Sequence, residues 1–286
     1  MISRYNVYLN DISLSSLDDT IYIYDIAYSS VSLERNTNRL AGRQGYYSGS
    51  EHIEESRVVV SFSVRQYDTQ QRQHSLQEIA KWCVNGGWLK TSDRPYQKMY
   101  VRCTKVPTVN SALRWTDTLS VEFTAYDYPF WVDDLPERVS LEADETKSVF
   151  VHGTYKTDVE AIVTASAELS GLTIACGETE IELDGLSVPA NQEITIRYTD
   201  EHHILEIVSG GDSLLGNRTA ESSDDLILYP GYRTVSFEAV FAEPEEEETE
   251  ETEEESEEEE IEEESEETEE EEPTASCTLL IRGVYL

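Results

Sequence analysis

Apolar and polar residues alternate with a period of two through most of this chain. In residues 54–65, EESRVVVSFSVR, this puts Val58, Val60, Phe62 and Val64 on one face and predicts a long half-buried strand. Residues 118–126 repeat the pattern with Leu119, Val121, Phe123 and Ala125. Residues 4–9 predict a short strand, and residues 20–28, rich in aromatic and β-branched side chains, another. Further strand is expected at Trp88-Leu89, over 99–106 and from 114 onward.

One stretch has the helical period instead. Leu76, Ile79, Ala80 and Cys83 fall at i, i+3, i+4 and i+7, and Ser75 with Glu78 forms a capping box that predicts the helix start. Asn85-Gly86-Gly87 should stop the helix, since these residues tolerate the left-handed conformation.

The alternation breaks at Asp127-Tyr128-Pro129, because proline cannot donate into a ladder and biases the residue before it. Phe130 and Trp131 follow as apolar anchors, and Asp133-Asp134-Leu135-Pro136 is a second break. Asp127, Pro129, Phe130 and Trp131 therefore mark a domain junction, dividing the 286 residues into 1–134 and 135–286. The first unit reads as an α+β domain, a β-sandwich with one packed helix.

Beyond the junction, short strands are predicted at 148–152, 159–165, 172–175, 179–183, 193–198 and 204–208. Turn residues at near-regular spacing separate them, the pattern of a sandwich or jelly roll. Pro230-Gly231 fits the centre of a type II turn, with Val235, Phe237, Ala239 and Phe241 alternating after it. The fold class is mainly β.

Charge changes the picture in one place. The chain holds 59 Asp plus Glu against 21 Lys plus Arg, a net of -38. Roughly 23 of the Glu residues lie in 243–272, leaving about -15 for the remainder. This tract, within a predicted insertion at 243–274, cannot bury enough apolar surface to fold, and its like charges repel. It is expected to loop out between two strands. Growing a turn roughly eightfold costs only about 2 kcal/mol in closure entropy.

With no basic stripe there is no expected nucleic-acid surface, and with no run of about 18 apolar residues no membrane-inserted helix. The amino end lacks a signal-peptide core, so synthesis in a cytoplasm is expected. Cys83, Cys103, Cys176 and Cys277 have no close pairing and read as buried free thiols.

Catalytic signatures are missing: no G-x-S-x-G elbow, H-E-x-x-H pair or Walker A loop occurs. Paired carboxylates carry no weight in so acidic a chain. His202 and His203, if their turn continues as strand, point to opposite faces and cannot share a metal. No cofactor or metal site is expected, and the chain does not read as an enzyme. Tyr155, Tyr198, Tyr229 and Tyr232 are candidates for glycan or partner contact, set against the plainer reading of core or rim tyrosines. Gly42-Arg43-Gln44-Gly45 is either a turn needing positive φ or a loop that approaches a neighbouring chain closely.

Taken in order, several motifs resemble the distal tail proteins of long, non-contractile-tailed bacteriophages. They are the Gly42–Gly45 loop, the Arg57-bearing strand, the helix ending in Gly-Gly, Trp88-Leu89, and Tyr126-Asp127-Tyr128-Pro129-Phe130. In the second half Gly153, Ser213-Leu214-Leu215-Gly216-Asn217 and Leu228-Tyr229-Pro230-Gly231 are similar to that family's C-terminal domain. The resemblance implies a homo-hexameric hub at a virion's tail tip, with Gly42, Arg43, Gly45 and Arg57 as ring contacts. It also implies a galectin-like or carbohydrate-module-like second sandwich facing away from the tube. The implied partners are the tail tube protein and the tail-associated or receptor-binding proteins. An acidic ring would suit a DNA conduit, since like charge keeps the genome off the wall. The alternative is an adhesin that binds cell-surface saccharide through the second sandwich.

A solvated insertion makes a testable prediction. Deleting residues 245–272 should leave folding and oligomeric assembly unchanged, as read by circular dichroism and sedimentation; loss of assembly would show that the tract contributes contacts.

Overall fold

A computed structural model of the protein describes residues 5–29, 33–38, 47–107, 119–242 and 273–286. Gly42, Arg43, Gly45 and residues 243–272 lie outside the described residues, so the loop and the Glu tract are not placed.

The first half is built on a sheet whose strand order is Ile12–Ser13, Val7–Leu9, Gly87–Thr91, Arg94–Lys105, Leu119–Ala125, Ser56–Val64, Ile21–Tyr28. The alternation seen in the sequence is its cause. Val58, Val60, Phe62 and Val64 are all fully or almost fully buried, and Val121 and Phe123 join them from the neighbouring strand, Val60 opposite Val121 and Val58 opposite Phe123. Val7, Leu9, Leu89, Met99 and Val101 from the other end of the path share that core, so the sheet folds over to enclose it. A separate hairpin pairs Leu33–Asn38 with Tyr47–Ile53.

The long helix lies on this core through Leu76, Ile79 and Cys83, as its period predicts. Its start is different. The helix runs Thr69–Cys83, and the cap is Asp68, whose carboxylate accepts from the Gln70 N–H at 2.9 Å. Ser75 lies mid-helix and buried, its hydroxyl donating to the Gln71 carbonyl and to Asp18. The first two turns, Thr69 to His74, are polar and carry no apolar stripe, so period alone could not reveal them. The stop is where Gly86 predicts it. Gly86 has φ +65°, and a β-carbon there would lie 2.3 Å from the Val101 carbonyl oxygen. A second, four-residue helix, Leu14–Leu17, was not legible from period.

The second half is a sandwich. One sheet orders Glu137–Glu142, Ala275–Ile281, Thr157–Ala165, Ile194–Tyr198, Leu205–Ser209 and Asp212–Ser213, with Ile227–Leu228 beside Thr157–Ala165. The other orders Glu145–Val151, Gly231–Phe241, Leu169–Cys176 and Thr179–Val188. Val159, Ala161, Val163, Ile196 and Leu279 from the first sheet meet Ile174, Ile181, Val235 and Phe237 from the second in one core. Strand Glu137–Glu142 had no predicted counterpart, because only Leu141 of its six residues is buried.

The strands flanking the Glu tract, Gly231–Phe241 and Ala275–Ile281, belong to opposite sheets. Both roots of the tract are held at one turn. The Ala242 N–H donates to the Glu168 carbonyl at 2.9 Å, and the Thr274 N–H donates to the Ser166 hydroxyl at 2.8 Å. An insertion between anchored ends leaves both strand registers intact.

Cys83, Cys176 and Cys277 are buried and Cys103 is half-buried; all four are free. Burial pushes the Cys176 and Cys277 thiols up to about 12, so neither ionises at neutral pH.

Core packing predicts a contrast along one strand. Phe237→Ala should cost about 3–5 kcal/mol in urea unfolding, since a fully buried ring leaves a cavity. Tyr232→Ala, five residues away and 77% exposed, should stay within about 0.5 kcal/mol.

Candidate functional site at the junction of the two halves

Pro129, Phe130, Trp131 and Val132 are all buried, and they face different neighbours. Trp131 packs into the first core, edge-on to Tyr28 at 5.8 Å, with the Arg94 guanidinium 4.9 Å from its ring centre. Phe130 and Val132 form a small separate cluster with Val284. Phe130 stacks on Tyr155 at 4.7 Å and meets Tyr128 edge-on at 4.9 Å. These anchors come together because strand Trp131–Asp133 pairs on both sides, with Lys98 and Gln97 on one edge and Val284 and Tyr285 on the other.

A charge network surrounds that strand. Asp134 pairs with Lys90 at 2.9 Å and Lys98 at 3.7 Å. Arg282 donates to the Asp133 and Asp134 carbonyls at 3.2 and 2.8 Å. The Asp133 carboxylate accepts from the Gly283 N–H at 2.9 Å. Burial lowers the Lys98 ammonium below its usual range and nearby Arg282 lowers it further, while Asp134 offsets part of this.

The second half reaches back through one turn, residues 199–204. Glu201 pairs with Arg102 at 2.9 Å, and His202 lies 3.4 Å from Asp127. His203 is sandwiched between Tyr128, with ring centres 3.7 Å apart, and Tyr198, at 4.8 Å. Its Nε2 lies 2.8 Å from Asp158, which also hydrogen-bonds Tyr128. Burial, and then the Asp158 charge, push both tyrosine hydroxyls well above their ordinary value. His203 adopts φ +52°, a left-handed conformation uncommon for a residue with a β-carbon. Three consecutive side chains of one turn thus clasp the first half.

The sequence candidates separate into groups. Tyr155 and Tyr198 are junction residues, Tyr198 buried and accepting from the Leu226 N–H at 3.1 Å. Tyr229 and Tyr232 are exposed elsewhere, Tyr232 edge-on to Phe150 at 5.1 Å and Tyr229 beside Arg233. Asp127 is exposed at the clasp, and Arg57 is exposed on its strand, paired with Glu55 and with Glu122 at 3.5 Å. His202 and His203 reach different carboxylates, Asp127 and Asp158, from a turn and not a strand. The role of His203 was missed; its one sequence signal was a His-His pair in a polar turn.

Between the halves lies a cleft with a free volume of about 260 Å³. Trp88, Lys98 and Tyr100 line it from the first half, and Asp158, Glu160, Asp200 and His203 from the second. Among the described residues no group of three His, Cys, Asp or Glu could hold a metal ion, and no helix is long and apolar enough to cross a membrane.

No protein-family model matches the sequence, and no curated protein matches it. Solved structures do. The Dit protein (gp 19.1) of phage SPP1, described as a paradigm of the hub adsorption apparatus in phages infecting Gram-positive bacteria, superimposes with a TM-score of 0.65 at 11% identity. That match covers 97% of this chain and 98% of the other. The chain has the Dit fold. The phage p2 baseplate in its activated conformation is also similar, with Sr at TM-score 0.48 and 9% identity and with Ca at 0.46 and 8%, each over 97% of this chain and 98% of that one.

Within this Dit fold, the clasp should divide unequally in energy. His203→Ala removes a doubly stacked ring and its bond to Asp158, and should cost about 2 kcal/mol in urea unfolding. Glu201→Ala breaks an exposed ion pair and should cost under about 1 kcal/mol. The reverse order would show that the surface charges, not the stack, hold the turn.

Proposed function

We propose that the protein is a structural hub of a phage tail tip, six copies closing a ring that joins the tail tube to tail-associated and receptor-binding proteins. The observation that carries this reading is the likeness to the SPP1 hub protein over nearly the full length of both chains. Residues 1–134 form the ring in this reading, with Arg57 and the loop of Gly42, Arg43 and Gly45 at the contact between copies. Residues 135–286 hold the outward partners, and Tyr229 and Tyr232 are the exposed aromatic contacts for them. The role is assembly and host attachment in the virion, without catalysis.

The physical logic is that of closed cyclic symmetry. Strand Ile21–Tyr28 ends the path of the first sheet, and such an edge is a template for pairing with another chain. A ring satisfies six such edges with one repeated contact. The rigid junction then sets the direction in which each second sandwich projects.

The test is direct imaging and sedimentation of the purified full chain. A six-membered annulus is the expected result. Material that stays single-copy at high concentration, with and without the tube protein, would overturn the proposal.

A further inference from the structure

Two carboxylates on the wall of the cleft between the halves take no part in the junction contacts. The side chains of Glu160 and Asp200, both on its wall, make no hydrogen bond or ion pair with any described residue, although the Glu160 backbone is paired in its sheet. Lys98 lies opposite, its ammonium 4.6 Å from the Trp88 ring centre, and Arg282 stands close enough to depress it. Tyr100 also lines the cleft, and burial, then the charges of Glu201 and Asp200, raise its hydroxyl above the ordinary value. Pockets at the interface of two folded units, with a few convergent polar groups, are where small ligands are most often held.

We propose that this cleft is a binding site for one neutral polyhydroxylated ring, the size of a single sugar unit. Size sets the first limit. A free volume of about 260 Å³ lies just under the ~300 Å³ at which drug-sized pockets begin, enough for one ring and not for a chain. Charge sets the second. An anion drawn to Lys98 and Arg282 would meet Asp158, Glu160 and Asp200, and a cation drawn to those carboxylates would meet Lys98 and Arg282. A hydroxyl both donates and accepts, so a neutral polyol can use both walls without presenting a charge that either repels. Trp88 and Tyr100, packed edge-on to each other at 5.5 Å, line the cleft and supply apolar surface for a sugar's C–H groups. This assignment goes beyond the hub reading and does not depend on ring closure.

The test is ligand-observed saturation-transfer NMR on the full chain. The probes are glucose, N-acetylglucosamine and inositol, compared with acetate, tetramethylammonium and glycine. Saturable transfer to at least one polyol is expected, stronger than to any ionic or zwitterionic probe. Glu160→Gln combined with Asp200→Asn, two accessible positions, should weaken it about tenfold, the loss of roughly one good hydrogen bond. Val240→Ala, at an exposed position on strand Gly231–Phe241 away from the cleft, should leave it unchanged. An unaltered unfolding midpoint confirms that the double variant is folded; if the midpoint falls, Glu160→Gln alone is measured. Silence from all three polyols, undiminished binding in the folded variant, loss in Val240→Ala, or tighter binding of an ionic or zwitterionic probe would each overturn the assignment.

Discussion

Strand Trp131–Asp133 is three residues long, yet it has a partner on both edges and a different core against successive side chains. Its second partner, Val284–Tyr285, comes from the far end of the chain. Closing a loop of that length would cost roughly 4–5 kcal/mol in chain entropy if it were made alone. It is not made alone, because Glu137 already pairs with Ile281, and only a few residues on each side remain to be closed. Burying Phe130, Val132 and Val284 then contributes about 1.5–3 kcal/mol apiece, well beyond what that short closure needs. The second sandwich must form for the junction to lock.

Two consequences follow for the relation of the halves. The paired strand fixes them at one line, which by itself would allow rocking about that line. The turn at residues 199–204 supplies a second point of attachment away from it, through His203 between Tyr128 and Tyr198. Two separated attachments define an orientation. The cleft lies between those attachments, so its walls are set by the same contacts.

The Glu tract shows a different economy. It carries most of the chain's excess negative charge, and the residues that flank it, Ala242 and Thr274, are both anchored at one turn, Ser166 to Glu168. Because the anchors belong to the turn and not to the tract, the core of Phe237, Val235, Cys277 and Leu279 is complete without it.

Alternation of apolar residues determined which strands exist and which of their faces are buried, as Val58 to Val64 and Val159 to Val163 demonstrate. The break at Asp127 to Pro129 and the helix stop at Gly86 were equally local, since each depends on the conformations open to a single residue. The helix start was misread because a plausible Ser75–Glu78 box stood nearer the apolar stripe than the true cap, Asp68. What only the tertiary structure decided was long-range. Val284 opposite Val132, His203 between two tyrosines, and flanks of the Glu tract lying in opposite sheets all join segments far apart in the chain. Local period reports which way a side chain faces, whereas the identity of its neighbour depends on how whole sheets close around a core.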